Sequence, residues 1–349
     1  MKVASQRIKM ARVMAGLSMA DLAKKTGYTV SKQAIGKYEL GERNPPIKSL
    51  QAIAKAVNVK LDYFLRESKV DLGIINYRKQ DLLPKKKQDE IKEKTRDYLE
   101  RYLEAEELVG EMIEFNESNK KIVVKNYEAA EDIAKELRKN WQLGVNPIYN
   151  IVETLEERGI KVLRLKEKIK HFSGMSTWVN DKTPVIVLGY NPIDRIRFTA
   201  LHELGHLLLD LEDYSVKAQE KICDRFAAAM LLPDDSLKSE LGGHRKNIHL
   251  KELLLIKAQY GISPQAILYR CRELGLISEA LFARHTKMIR AQGKWEEEIG
   301  KDVFKGKEES NRLFQLLCRG VSESFITTSK AASLYNKTVR SFRKELQEI

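Results

Sequence analysis

The pentapeptide His202-Glu203-Leu204-Gly205-His206 constrains this chain more than any other stretch. Its chemistry works only on a helix. There the two histidines stand one turn apart on one face and can share an ion. Glu203 is rotated off that line but adjoins it, so it can take a proton from water beside the ion and pass it to a leaving amine. The flanks also spell a helix. Asn191 caps it, Pro192 sits in its first turn and Asp194 lies at its positive end. Ile196, Ala200, Leu204 and Leu208 then recur at helical spacing. Such a five-residue pattern arises by chance in roughly one chain in a hundred of this length, so the setting has to add weight. It does: two structural histidines flanking a surface glutamate would place three polar side chains on the core side of an apolar helix with no ion. Gly205 leaves room for another element to approach closely.

A catalytic ion of this type needs a third protein ligand. Residues 218–233 read as a helix closed by Pro233. On it Glu220 and Asp224 share a face, while Ile222, Phe226 and Ala229 face a core. This fits Glu220 as metal ligand, with Asp224 accepting the ring N–H of a ligand histidine. Asp210, Glu212, Asp213, His244 and His249 are rivals for the third position. Cys223 lies about 60° from Glu220 around the helix and reads as a small packed side chain.

The length of 349 residues predicts two or three domains. Of the formal charge of +13, +9 falls in residues 1–69, which hold 14 Lys/Arg against 5 Asp/Glu. Nucleic-acid contact is therefore expected at the N-terminus. Three cysteines without close spacing argue against a disulfide framework and a zinc ribbon, and fit a reducing cytoplasm. The longest apolar run, Phe226 to Leu232, is too short to span a bilayer, and Met1–Arg7 holds no apolar leader region. A cytoplasmic chain with no membrane partner is expected.

Within residues 1–69 the spacing predicts five short helices, around Arg7–Met14, Met19–Thr26, Ser31–Glu39, Ile47–Val57 and Leu61–Leu65. Ser18 and Ser31 are expected N-caps. The pieces Ala20-Asp21-Leu22-Ala23, Val30-Ser31-Lys32-Gln33-Ala34-Ile35, Tyr38-Glu39-Leu40-Gly41 and Asn44-Pro45 resemble phage-repressor-like (XRE) helix-turn-helix domains over nearly all of residues 4–66. The turn at Tyr28-Thr29 is about two residues longer than usual for such domains. The resemblance implies that Ser31–Glu39 is the recognition helix, with Lys32, Gln33 and Lys37 facing base edges. Ser18 and Arg43 would contact phosphate, and Ser31 lies at the same DNA-facing helix start. It also implies a double-stranded operator read by a homodimer. The alternative for Lys32 and Lys37, taken one at a time, is that they are solvated charges on a helix.

Further along, Pro84-Lys85-Lys86-Lys87 opens a helix running to about Met112, either a solvated connector or a dimerising helix. Asn116–Lys120 reads as a break. Helices are expected over Tyr127–Lys139 and, opened by Pro147, over Ile148–Glu157. Ile160–Leu165, Phe172–Val179 and Val185–Leu188 read as strands, with a hairpin turn at Asn180-Asp181-Lys182. Ser173–Trp178 is the expected exposed edge, able to take a substrate as an added strand; a purely structural hairpin explains the same segment. Leu250–Tyr260 and Gln265–Leu274 form a helix-turn-helix pair with Ser263 as cap, expected to pack under the metal site rather than to touch DNA. Gly293-Lys294-Trp295 and Glu296–Glu309 read as a surface loop. Residues 311–349 are helical and basic, with no role assigned by their sequence.

The run Arg197–His206, followed by Glu220-x-x-Cys223-Asp224-x-Phe226-Ala227-Ala228-x-x-Leu231-Leu232-Pro233, resembles the ImmA/IrrE metallopeptidases, with Pro147-Ile148 and Phe172-Ser173-Gly174 extending the likeness over about residues 127–290. That family often carries Asn where Asp224 stands. The resemblance implies proteolysis of an XRE-type repressor, here by a domain fused to one like its usual substrate. The expected fold is mainly α with a small β-sheet (α+β): an N-terminal five-helix domain (1–69), a helical connector (70–125), a zincin-like metallopeptidase domain (126–290) and a helical C-terminal segment (291–349). The expected function is a DNA-binding regulator with a zinc-dependent endopeptidase, Mn2+ being able to replace Zn2+. Its protein substrate would be a repressor, an antitoxin or the chain itself. The alternative is a non-proteolytic autoregulator or antitoxin whose metal site is structural or sensory.

Overall fold

A computed structural model describes residues 2–73, 76–77, 83–115, 121–291, 300 and 303–347. The expected break at 116–120 and the stretch Gly293–Trp295 lie outside the described residues. The N-terminal unit consists of α1 (Lys2–Met14), α2 (Met19–Lys25), α3 (Lys32–Leu40), α4 (Ile47–Val57) and a 3-10 helix at Leu61–Leu65. Side chains spaced for one apolar face per helix meet in a core that includes Ile8, Leu22, Ile35, Ile53 and Phe64, all fully buried. Local chemistry sets the helix starts. Ser18 and Asp21 form a reciprocal capping box at α2, and Ser31 Oγ accepts from Ala34 N at 3.2 Å. Arg12 grips both oxygens of Glu39, at 2.6 and 2.8 Å, and so fixes α3 against α1.

The middle of the chain builds a four-stranded sheet in the order β1 (Asn76–Tyr77), β4 (Gly174–Val179), β5 (Thr183–Leu188), β3 (Lys161–Arg164). β4 and β5 are antiparallel, and β3 lies parallel to β5. The hairpin turn places Asn180 and Asp181 in the left-handed region, as a tight two-residue turn requires. Strand alternation splits the sheet into two buried faces. Ile186 and Leu188 face α8 (Ile193–Leu208) and α9 (Val216–Leu231), while Val185 and Val187 face α5 (Lys85–Val109). The stretch read as a solvated connector or dimerising helix is thus a packed strut. Ile91, Leu99, Tyr102 and Ala105 of α5 are fully buried, because its apolar residues serve two different neighbours rather than one stripe.

Around α8 and α9 lie β2 (Ile122–Val123), paired with β6 (Leu209–Asp210), and the helices α6 (Ala129–Asn140), α7 (Ile151–Glu156), α10 (Asp234–Leu241), α11 (Leu250–Tyr260), α12 (Pro264–Glu273) and α13 (Glu279–Ala291). α14 (Arg312–Ser322), α15 (Thr328–Leu334) and α16 (Val339–Gln347) close on the far side of α5. α7 starts three residues later than Pro147 and Ile148 imply. Asn150 is its cap, and the carbonyls of Ile148 and Tyr149 accept from the Arg197 guanidinium instead of entering a helix. The loop expected over Glu296–Glu309 also departs from expectation where it is described. Glu308 is buried, ion-paired with the buried Arg197 of α8, and accepts from the backbone N–H groups of Ile151 and Val152. Among the described residues, no helix is long and apolar enough to cross a membrane.

Candidate metal centre

α8 and α9 carry the site. They cross closely because Gly205 has no side chain: a Cβ there would stand 3.2 Å from Cys223 Sγ and 3.3 Å from Phe226 Cδ1. Cys223, fully buried against that glycine, is packing. The close crossing brings α9's carboxylate to α8's imidazoles. His206 Nε2 lies 3.1 Å from His202 Nε2 and 3.2 Å from Glu220 Oε1, and His202 Nε2 lies 3.7 Å from Glu220 Oε2. An ion holding four donors tetrahedrally at about 2.0–2.1 Å separates neighbouring donors by roughly 3.3 Å. The three groups match that spacing and aim at one point, so they fit a small divalent cation. Of the other candidates for the third position, His249 caps α11 through Nδ1. Asp210, Glu212, Asp213 and His244 do not join the metal-ligating cluster found among the described residues.

Asp224 Oδ1 stands 2.8 Å from His202 Nδ1, on the side of the ring away from Nε2. Glu203 is 1% exposed and faces β4, where Ser176 Oγ donates to its Oε2 at 2.8 Å. Burial is graded across the site. The His202 side chain is 0% exposed, that of His206 13% and that of Glu220 30%. Water therefore reaches the donors from the Glu220 side, where an open fourth position belongs.

The sequence alone assigns two contributors no role at the site, although Gly174 lies in the Phe172-Ser173-Gly174 piece of the family likeness. Ser176 holds the glutamate, and Gly174 lets β4 approach α8, since a Cβ there would meet Thr199 Cγ2 at 2.6 Å and Glu203 Cγ at 3.3 Å. Both lie on one face of β4, two residues apart, which the strand period makes legible once the sheet is known. The expectation that Ser173–Trp178 is an exposed edge is overturned. β1 pairs antiparallel with β4 on that side, Asn76 opposite Ser176 and Tyr77 opposite Met175, and Leu72 bridges Val179. The segment leading out of the N-terminal unit supplies this outer strand, and its sequence lacks the alternation that marks a strand.

At the N-terminus, Ser31, Lys32, Gln33, Lys37 and Arg43 are all exposed, four of them on or capping α3. Ser18 is exposed too, but its hydroxyl accepts from Asp21 N and donates to Asp21 Oδ2 at 2.7 Å. That donated bond, with a second from the Ser18 backbone N–H at 2.9 Å, holds the Asp21 carboxyl below its ordinary range. A negative charge bonded to Ser18 weakens its case as a phosphate contact.

Two helices crossing behind a small sheet with two histidines and a glutamate converged, joined to a helix-turn-helix unit, define a DNA-binding regulator with a metallopeptidase-like domain. Comparison with protein families gives the same two parts. A helix-turn-helix family matches residues 8–64, and a peptidase family described as IrrE N-terminal-like domain matches residues 155–272. The chain is thus a fusion of a segment like the first with a segment like the second. No curated protein matches the chain.

Proposed function

We propose that the chain is a cytoplasmic transcription regulator whose metallopeptidase-like domain is a zinc-dependent endopeptidase, hydrolysing a peptide bond in a repressor, an antitoxin or itself. One observation carries this reading: His202, His206 and Glu220 converge while the neighbouring Glu203 is buried and held by Ser176. Two imidazoles and a carboxylate favour Zn2+, and Mn2+ can use the same donors. Bound there, the ion would polarise the scissile carbonyl and acidify water toward neutral pH. The chain's own residues do the rest. Glu203 takes the proton from the attacking water and returns it to the leaving amine. Ser176 holds that carboxylate in one rotamer. Asp224 keeps the His202 ring turned so that Nε2 faces His206 and Glu220, where it would serve as a metal donor. The N-terminal unit brings a double-stranded operator, bound by a homodimer on paired half-sites.

The occupied edge of β4 bears on the substrate. An extended peptide added to β4 would run beside the serine that holds Glu203. Residues 71–77 include the described strand that lies there. This favours the chain itself as substrate or, if that strand is never cut, a non-proteolytic autoregulator or antitoxin with a structural or sensory metal. Glu203→Gln is expected to keep metal and DNA binding and to abolish cleavage. The measurement compares cellular protein fragments, and fragments of the purified chain, between wild type and variant. A variant that still cuts sinks the mechanism. A wild-type chain that yields no fragment of itself or of another protein leaves the non-proteolytic reading standing.

A further inference from the structure

The C-terminal helices, which neither family match reaches, repeat the layout of α2 and α3. Each pair opens on a hydroxyl cap. Thr327 Oγ1 accepts from Lys330 N at 3.2 Å, as Ser18 Oγ accepts from Asp21 N at 3.1 Å. Both first helices run seven residues, Thr328–Leu334 and Met19–Lys25. Counted from the cap, the fourth and fifth residues are buried in each, Ala331-Ala332 and Leu22-Ala23. The ninth is left-handed in each, Asn336 at φ 55° and Gly27 at φ 62°. Both second helices run nine residues and start on a hydroxyl that accepts from the N–H three residues on, Ser341 N to Thr338 and Ala34 N to Ser31, each at 3.2 Å. Four residues after that cap stands the buried anchor, Phe342 or Ile35, each 0% exposed. The turn is what differs. The two caps are two residues closer in the C-terminal pair, which lacks a counterpart of the extra Tyr28-Thr29.

We infer that α14–α16 form a second helix-turn-helix unit, and that α16 is a second helix for contacting double-stranded DNA. α14 supplies the supporting helix, with Leu316 and Leu317 buried and Phe314 edge-on to Phe342. The outward face of α16 is basic: Arg340, Arg343 and Lys344 are all exposed, and its acid, Glu345, is ion-paired with Lys337. Arg340 and Lys344 stand second and sixth after the cap, where Gln33 and Lys37 stand in α3. A guanidinium fork there suits guanine edges or phosphate. Residues 311–349 as a whole carry seven Lys/Arg against three Asp/Glu. Both units are tied to neighbouring turns of α5. Arg7 of α1 pairs with Glu100 at 2.7 Å, Arg101 donates to the Leu334 carbonyl at 2.8 Å, and Lys330 pairs with Glu104. Arg66 also donates to Ser333 Oγ at 3.0 Å, joining the two units directly. A merely solvated basic helix would account for the charge but not for the repeated caps, left-handed turn residue and anchor.

This inference does not involve the metal centre, and its test is the same in a Glu203→Gln background. The full chain is titrated with a duplex selected by the wild type from a random-sequence library, at several salt concentrations. Arg340→Ala/Arg343→Ala/Lys344→Ala is expected to bind at least about tenfold more weakly, with the salt slope shallower by about one for each phosphate no longer neutralised. None of the three side chains is buried in the core, so the thermal midpoint and metal content should match wild type. Arg340→Lys/Arg343→Lys, which keeps the charge, should retain the wild-type salt slope. A triple variant equal to wild type in affinity and slope overturns the inference, as does a wild-type chain that binds no duplex.

Discussion

His202 and Glu203 are 0% and 1% exposed, whereas Ser31, Lys32, Gln33 and Lys37 all face solvent. The donor cluster is made by close packing of two helices, whereas α3 presents its polar side chains to solvent. At the centre, packed helices set every distance. Gly205 lets α9 approach, and the donors of His202, His206 and Glu220 fall 3.1–3.7 Å apart as a result. On α3 the fold supplies only orientation, through the Arg12–Glu39 clamp and the Ser31 cap. On the proposed reading, the side chains themselves would act through charge and reach. The difference teaches where effects should be steep. Removing one group from a set of packed, converging donors should lose the site, whereas removing one exposed cation should lose a fraction of a distributed interaction.

The largest expected effect tests the first half of that contrast. Glu220→Ala removes one of three donors from a side chain that is 30% exposed, so the fold should survive. Metal affinity is expected to fall by well over the roughly 10–100-fold that an outer-shell partner carries. Metal content after dialysis against a weak chelator reads it. Full retention would mean that a group outside the converged set completes the site.

Asp224→Ala comes next and asks how far the steepness extends. Its carboxylate reaches His202 Nδ1 but not the converged point. The expected loss is about 10–100-fold in metal affinity, read by competition with a coloured chelator. DNA binding should not change. Equal affinity in variant and wild type would reduce Asp224 to a half-exposed surface acid.

The same contrast explains what could be read from the sequence. Ser18 with Asp21, Ser31 with Ala34, His202 with His206, and Glu220 with Asp224 are each spaced within a few residues on one helix, so periodicity carries each pair. Placing the α9 acids against α8 took only the further step that two amphipathic helices pack face to face. What stayed hidden depends on distant partners. Glu308 looks like one charge in a charged loop, yet Arg197, 111 residues earlier, draws it into the core. Burial raises the Glu308 pKa and lowers that of Arg197, a cost no local pattern announces. β1 is set by backbone pairing to β4 about a hundred residues on, and two paired residues leave no periodic trace. α7 shows the opposite failure. Pro147 is a strong local start signal, and Arg197 takes the carbonyls that signal would have used.

The smallest expected effect lies on α3, and it separates reading from scaffolding. Lys37 is exposed, so Lys37→Ala should leave stability within about 0.5 kcal/mol of wild type. Operator binding should still weaken by about 1–3 kcal/mol if Lys37 reads a base, with relaxed preference at one position. If it meets phosphate, binding should weaken on every sequence and the salt slope should drop by about 1. Ser18→Ala is the matched contrast. Its hydroxyl is engaged with Asp21 on both sides, so the substitution should cost about 1 kcal/mol of stability through the missing cap and leave the salt slope unchanged. Were Ser18→Ala to flatten the slope while Lys37→Ala did nothing, the DNA-facing side of this unit would have to be redrawn around the start of α2. The exposed cations of α3 would then be solvent-facing charges with no part in reading the duplex.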